Sequence, residues 1–144
     1  MPRAPPDATR IIIQVLKRSP MNYIETPKAV KPLGPYSQGI VANGMVFVSG
    51  TVGMNPATNS MIPGGIKEQA TQTLENVKSI LEAGGSSLGK VLKVSVFLKN
   101  GADFKVMNDV YSSFFGNHKP TRTTVVAGFV KDGILIEIDC IASL

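Results

Sequence analysis

The segment Ile134–Ala142 constrains the fold more than any other part of the chain, because its apolar residues follow a strand-like alternation. Successive side chains of a β-strand point to opposite faces of a sheet. One stripe here is wholly apolar and the other is half apolar: Ile134, Ile136, Ile138, Cys140 and Ala142 against Leu135, Glu137, Asp139 and Ile141. We therefore predict a strand whose first face lies under helices and whose second face is buried by another copy of the chain.

Two stretches have the apolar spacing of a helix with one buried face, Gly65–Ala83 and about Ala102–Phe115. Gly84-Gly85 and Gly116-Asn117 follow them, and glycine commonly ends helices. The face of the second helix that we expect to be buried consists of Phe104, Met107, Val110, Tyr111 and Phe114.

Turn signals divide the remaining apolar runs into strands. Asn43-Gly44 favours a type I′ hairpin between Gln38–Ala42 and Met45–Ser49. Leu92–Lys99 alternates as a single strand, with Leu92 and Val94 on its apolar face. These elements predict an α+β fold with two helices on one face of a mixed sheet.

The sequence Lys131-Asp132-Gly133 indicates a second hairpin, between Thr123–Phe129 and Ile134–Ala142. In that register Arg122 would lie near Ser143, and Glu137 near Gly128. At about 3.4 Å per residue, the two side chains would be roughly 20 Å apart in one subunit. They could then share a pocket only across a subunit boundary.

Residues 1–20 are predicted to form an N-terminal extension to a domain of residues 21–144. The extension carries four Lys/Arg and one Asp, a net charge of +3, whereas residues 21–144 carry eleven Lys/Arg and nine Asp/Glu, a net charge of +2. A basic segment poor in acids is typical of organelle presequences, but Met21 as an alternative start, or an extra strand, fits as well. The expected compartment is the cytoplasm or the mitochondrial matrix.

Composition argues against several classes of function. A nearly neutral domain without tryptophan argues against nucleic acid as a partner, and no apolar run approaches the roughly 20 residues of a membrane span. One cysteine, Cys140, and one histidine, His118, cannot form a disulfide within the chain or a Cys/His metal site. No metal or other cofactor is expected, and Cys140 is predicted to be a buried structural residue.

Two charged residues in apolar strands are candidates for chemistry. Arg122 is either a surface guanidinium or a fork for a carboxylate. Glu137 is either a salt-bridged or interface residue, or a partly desolvated acid/base with a raised pKa. Tyr36 on a Gly-Pro turn, Ser49-Gly50 at a strand end and Asn108 on the second helix could face a ligand, although each alone is more often structural.

Taken together, these residues resemble the RidA/YjgF family of reactive-intermediate deaminases over residues 21–144. The matching segments occur in the family's order and spacing: Gly34-Pro35-Tyr36-Ser37-Gln38-Gly39, Val48-Ser49-Gly50, Asn76–Leu81, Val94–Lys99, Pro120-Thr121-Arg122 and Ile136–Ala142. The resemblance implies a chorismate-mutase-like fold of the bacillus type, with a single layer of mixed sheet. It also implies a homotrimer with ligand sites at the subunit clefts.

The implied reaction is hydrolysis of enamine and imine acids, such as 2-aminoacrylate and 2-iminobutanoate, to 2-keto acids and ammonia without a cofactor. By resemblance, Arg122 binds the substrate carboxylate and Glu137 works with the attacking water. The resemblance assigns the pocket lining to Tyr36, Ser49, Gly50, Asn108 and Thr124. The chain departs from the family at Thr124, Thr51 and Gly53, where cysteine, glutamine and proline are common. The alternatives are a regulatory module that binds small carboxylates and an endoribonuclease or translation inhibitor.

Overall fold

A computed structural model describes residues 20–144, so all but the last residue of the predicted N-terminal extension lies outside the described residues. It contains two α-helices, α1 (Ile66–Ala83) and α2 (Phe104–Phe115), and short 3-10 turns at Leu88–Lys90 and Gly101–Asp103. The strands in chain order are β1 (Asn22–Ile24), β2 (Gly39–Ala42), β3 (Met45–Val52), β4 (Met54–Asn55), β5 (Ser60–Met61), β6 (Val91–Leu98), β7 (Thr121–Val126) and β8 (Ile136–Ser143).

Six of these strands form one mixed sheet in the order β1-β2-β3-β8-β6-β7, and β4 pairs with β5 separately. All neighbours in the sheet are antiparallel except β6 and β7, which are parallel. The apolar faces of α1 and α2 pack with the even residues of β8 in the main core. This confirms the predicted α+β fold with two helices on a mixed sheet.

The first predicted hairpin is confirmed, and it continues into a bulge that matters for the site. Asn43 and Gly44 have φ angles of 52° and 73°, the positive values that a type I′ turn requires. Further along β3, Val48 pairs with Cys140 but Thr51 pairs with Ile138, so Ser49 and Gly50 together oppose one residue of β8. A bulge of this kind bends the strand and redirects its side chains.

The predicted hairpin between the last two strands is wrong. β7 pairs with β6 in parallel, and β8 is inserted between β3 and β6. Gly133 does adopt a turn conformation, with φ of 85°, but residues 127–135 form a connection that crosses β6. A strand as apolar as β8 suits the centre of the sheet, where it has a hydrogen-bonded neighbour on each side. The more polar β7 suits the edge of the sheet.

Two smaller predictions about burial are also wrong. Leu92 is 50% exposed and Val91 is buried instead, because the pairing of β6 with β8 shifts register between Val91 and Lys93. Phe104, expected in the core, is 46% exposed at the start of α2. The remaining predicted face of α2 is buried or partly buried, and Phe115 joins it.

Both helices end at the glycines that the sequence predicted. At the end of α1 the positive φ of 85° belongs to Gly85, and the Ser86 N–H donates to the Leu81 carbonyl. This is the Schellman arrangement, which pairs a carbonyl that the helix itself leaves free. Gly116 ends α2 with φ of 56°. Among residues 20–144, no helix is both long enough and apolar enough to cross a membrane.

The sheet face away from the helices remains open and largely apolar in the single chain. Strand register places Tyr23, Ile40, Phe47, Phe97 and Val125 on it. Tyr23, Phe47 and Val125 are exposed. An open apolar face of this extent is typical of a surface that another subunit covers.

Candidate functional site

Four of the candidate residues lie around one cavity of about 460 Å³, between the loop before β2, the end of β3 and the connection before β8. They are Tyr36, Ser49, Gly50 and Glu137. The rest of the lining is mostly apolar, with Lys31 and Lys131 as its other charged residues. A largely apolar pocket with a few polar groups is the usual form of a small-molecule site.

The bulge in β3 brings the backbone against the Glu137 carboxylate. A Cβ atom at Gly50 would overlap Oε1 of Glu137 and lie 3.0 Å from its Cδ. Only a residue without a side chain allows this approach. The Ser49 hydroxyl donates to the Ser37 carbonyl at 2.6 Å, and the Thr51 hydroxyl donates to the Ser49 carbonyl at 2.8 Å. Both hydroxyls therefore hold the bulge rather than point freely at a ligand.

The environment of Glu137 favours its protonated form. Burial raises the pKa of this carboxyl above its ordinary value, and the nearby negative charge of Asp139 raises it further. Within residues 20–144 no cation forms an ion pair with it. A half-buried carboxyl of this kind can exchange a proton with a ligand closer to neutral pH than an exposed glutamate can.

Tyr36 stands on the rim of the same cavity, on a tight turn. Its backbone N–H donates to the Gly34 carbonyl at 2.9 Å, and its hydroxyl accepts from the Leu33 N–H at 3.1 Å. The ring itself is exposed. The loop thus presents the aromatic face of Tyr36 with its hydroxyl already engaged.

Three buried amide side chains, which the sequence analysis did not single out, hold the walls of this cavity. The Gln38 side chain accepts a hydrogen bond from the Thr26 N–H at 2.7 Å and donates to the Thr26 and Val30 carbonyls at 3.0 and 2.9 Å. Gln69 on α1 bonds the Gly133 carbonyl at 2.8 Å and the Leu135 N–H at 2.9 Å. Asn76, two turns along α1, bonds the Val52 and Met54 carbonyls. The missed signal was a pair of amides seven residues apart on the apolar face of a helix.

Arg122 and Asn108 line a different cavity of about 590 Å³, between α2 and the start of β7. The Arg122 Cζ lies 4.7 Å from the centre of the Tyr111 ring and 5.8 Å from that of Phe104. Within residues 20–144 no carboxylate forms an ion pair with this guanidinium. The side chain is therefore supported by aromatic rings while its charge is left uncompensated.

Three other residues considered for chemistry have clear surroundings. Thr124 lies on the same face of β7 as Arg122, and its hydroxyl is buried without a hydrogen-bond partner in residues 20–144. His118 Nε2 lies 2.7 Å from the Val91 carbonyl, so it is engaged in the fold. Cys140 is buried as predicted, and burial raises the pKa of its thiol to about 12. Within residues 20–144, no cluster of three or more His, Cys, Asp and Glu side chains could hold a metal ion.

The sheet keeps Arg122 and Glu137 apart within one chain. Arg122 pairs with Val94, which pairs with Cys140, on the face that carries the helices. Glu137 pairs with Phe97, and both lie on the other face. Three residues along the strands and two strand spacings across correspond to about 14 Å between their Cα atoms. The predicted separation of roughly 20 Å rested on the wrong hairpin, and opposite faces now provide the stronger reason for two separate half-sites.

Comparison with known proteins adds an independent line of evidence. The family described as Endoribonuclease L-PSP matches residues 26–144. The RutC family protein PH0854 of Pyrococcus horikoshii is 47% identical over 119 residues, covering 83% of this chain and 94% of that protein. A 2-iminobutanoate/2-iminopropanoate deaminase of Dermatophagoides farinae is 40% identical over 123 residues, or 85% and 96% of the two chains. The crystal structure of E. coli TdcF with bound serine superimposes with a TM-score of 0.81 at 38% identity, covering 85% of this chain and 98% of that one.

Proposed function

The chain belongs to the Endoribonuclease L-PSP family, which includes the RidA/YjgF proteins, and we propose that it hydrolyses reactive 2-imino acids to 2-keto acids and ammonia. The observation that carries the proposal is the complementary chemistry of its two half-sites. One offers an uncompensated guanidinium and the other a carboxyl with a raised pKa. A 2-imino acid needs both, because its carboxylate adjoins the carbon that water must attack.

Arg122 is the proposed carboxylate-binding group. A guanidinium can donate two parallel hydrogen bonds to the two oxygens of a carboxylate. The absence of an ion-pair partner in residues 20–144 leaves these donors available. The serine bound to TdcF is itself an α-carboxylate, which supports a ligand of this class for the present chain.

Glu137 is the proposed acid/base. Water adds to the C=N carbon, and the carboxylate takes a proton from the water as the C–O bond forms. The same carboxyl then delivers that proton to nitrogen and becomes a carboxylate again. As the C–N bond breaks and ammonia leaves, this carboxylate accepts the remaining proton of the new hydroxyl group, which leaves the keto acid. An imine is already electrophilic, so holding the substrate and moving these protons is sufficient chemistry for an enzyme. Tyr36, Ser49, Gly50, Asn108 and Thr124 are proposed to shape the pocket around it.

We propose that the two half-sites meet between subunits of a homotrimer. Opposite faces of one sheet prevent Arg122 and Glu137 from contacting the same small molecule within a chain. The open apolar face, with Phe47 and Val125 exposed, supplies a surface that a neighbouring subunit can bury. Light scattering should give three times the chain mass of 15.3 kDa, and a stable monomer at micromolar concentration would contradict this assembly.

The direct test is ammonia release from freshly generated 2-aminoacrylate or 2-iminobutanoate, with RNA cleavage measured in parallel. We expect catalysed imine hydrolysis and no RNA cleavage above background. Binding of 2-keto acids without any acceleration would instead support a regulatory module that binds small carboxylates. RNA cleavage that persists in Arg122→Ala and is absent from mock preparations would support the ribonuclease alternative.

The compartment is proposed to be the cytoplasm or the mitochondrial matrix, depending on residues 1–20. The net charge of +3 in that segment supports import into an organelle. A fluorescent fusion to the full chain, compared with a fusion to residues 21–144, distinguishes the two. Mitochondrial signal that depends on the first twenty residues would assign them a targeting role.

A further inference from the structure

Two aromatic rings of α2 flank the Arg122 guanidinium. Phe104 and Tyr111 are seven residues apart, two turns of helix, so they lie on one side of α2. Arg122 Cζ lies within 5.8 Å of the first ring centre and 4.7 Å of the second. Both distances are in the range where a guanidinium and an aromatic face attract each other. Phe104, which stands outside the core that its spacing predicted, therefore has the Arg122 guanidinium as a neighbour.

The contact of Tyr111 with Arg122 is made by the ring. The hydroxyl of Tyr111 has no hydrogen-bond partner in residues 20–144, although the residue is only 8% exposed. Burial raises the pKa of this phenol to about 12, so the ring stays neutral throughout the physiological pH range. Phenylalanine at position 111 should therefore reproduce what the tyrosine does for Arg122.

Stacking restrains an arginine without consuming its hydrogen-bond donors. The attraction between the cation and the rings, at 4.7 and 5.8 Å from Cζ to the ring centres, needs none of the guanidinium N–H groups as hydrogen-bond donors. An arginine on an edge strand would otherwise have many rotamers, and fixing one of them on binding costs affinity. A side chain that is held beforehand avoids most of that cost.

We propose that Phe104 and Tyr111 form an aromatic clamp that positions the Arg122 guanidinium for a substrate carboxylate. The clamp rests on the proposed function for its ligand, but the order it imposes on Arg122 exists without one. Both rings are thus positioning residues, which act through Arg122 and need not touch the reacting atoms. Tyr111, which is nearer and buried, carries the larger share.

The order of Arg122 can be measured directly in the ligand-free, full-length protein by ¹⁵N relaxation of its side-chain Nε–H group. We expect a rigid Nε–H in the wild type and in Tyr111→Phe, and a mobile one in Tyr111→Leu. Phe104→Leu should give intermediate order. Phe114→Leu is the matched control, because Phe114 is on the same helix but packs against the core. Equal order in Tyr111→Leu and wild type would overturn the proposal.

Kinetics with 2-iminobutanoate give the second measurement. Tyr111→Leu should lower kcat/KM about tenfold, mainly through KM, and Tyr111→Phe should stay within about 1.5-fold of wild type. An equal loss in Tyr111→Phe would assign the effect to the hydroxyl and reject the clamp. If Tyr111→Leu does not fold, Phe104→Leu tests the clamp instead, because Phe104 is exposed. We expect kcat/KM to fall about threefold in this variant, and a wild-type value would contradict the proposal. A wild type without deaminase activity rejects the proposed function, while the relaxation experiment still tests the clamp.

Discussion

At the scale of single residues, the proposed chemistry depends on two charged groups in contrasting surroundings. Arg122 lies against aromatic faces with no ion-pair partner in residues 20–144. Glu137 is half-buried beside Asp139, which favours its neutral form. The surroundings of Arg122 leave its positive charge available for a ligand, and those of Glu137 raise the pKa of its carboxyl above the ordinary value. Each can be tested by changing the group or the space around it.

Arg122→Lys tests whether Arg122 acts through its shape as well as its charge. Lysine keeps the positive charge but has no planar pair of donors, so kcat/KM should fall at least about tenfold, about 1.4 kcal/mol in transition-state stabilisation. Steady-state kinetics with 2-iminobutanoate measure this change. Wild-type rates in this variant would reduce Arg122 to a surface charge.

Gly50→Ala tests the close approach of the bulge to Glu137. The added methyl group would overlap the carboxylate oxygen, so either Glu137 or the bulge must move. We expect kcat to fall by about a hundredfold, since a shift of about 1 Å at a reacting group can cost that much. Gly128→Ala is the matched control, because nothing lies within 4 Å of a Cβ there. Equal activities in the two variants would remove Glu137 from the chemistry.

The thiol of Cys140 should not take part in the reaction. It is buried, and its pKa of about 12 leaves almost no thiolate at neutral pH. Iodoacetamide should therefore leave native activity intact and label Cys140 only after unfolding, as mass spectrometry of the treated protein would show. Rapid inactivation that parallels labelling would place the thiol in the pocket.

Thr124→Val should keep most of the deaminase activity in the same activity assay.

At the scale of elements, the sequence predicted what is determined locally. Both helices and the Asn43-Gly44 hairpin follow from spacing and turn residues within a few positions. The neighbours of β8 could not be predicted in this way. Asp132-Gly133 indicates a turn, but it does not indicate which strands β8 pairs with after that turn. Arg122 and Glu137 stood out as charged residues in apolar strands, and the family resemblance assigned their roles. Their division between two faces depends on strand order and became visible only in the structure.

One side chain of α1, that of Gln69, forms two hydrogen bonds to the connection between β7 and β8. Gln69 pairs with the Gly133 carbonyl and the Leu135 N–H, and Gln69→Ala would leave both without that partner. We expect the free energy of unfolding to fall by about 1–3 kcal/mol. Chemical denaturation measures the loss, with Thr71→Ala on the exposed side of α1 as a control that should stay within about 0.5 kcal/mol. An unchanged midpoint would show that the loop is held by other contacts.

At the scale of the whole molecule, two half-sites on opposite faces make a mixing experiment informative. Arg122→Ala and Glu137→Ala homotrimers should each be inactive, because each lacks one half of every site. Mixed trimers should regain part of the activity, because some subunit boundaries then join an intact Arg122 to an intact Glu137. Subunit exchange is verified by native mass spectrometry. Confirmed mixed trimers without any recovered activity would place both groups in one subunit's site.

The placement of Arg122 and Glu137 on opposite faces of one sheet also has a thermodynamic consequence. A ligand that contacts both groups can bind only the associated protein, so it must strengthen association by the free energy it gains on binding. At a ligand concentration of one hundred times the dissociation constant, this linkage is worth about 2.7 kcal/mol for each occupied site. Substrate would then shift the association equilibrium toward the assembled protein, and the assembled fraction would be highest where substrate is abundant.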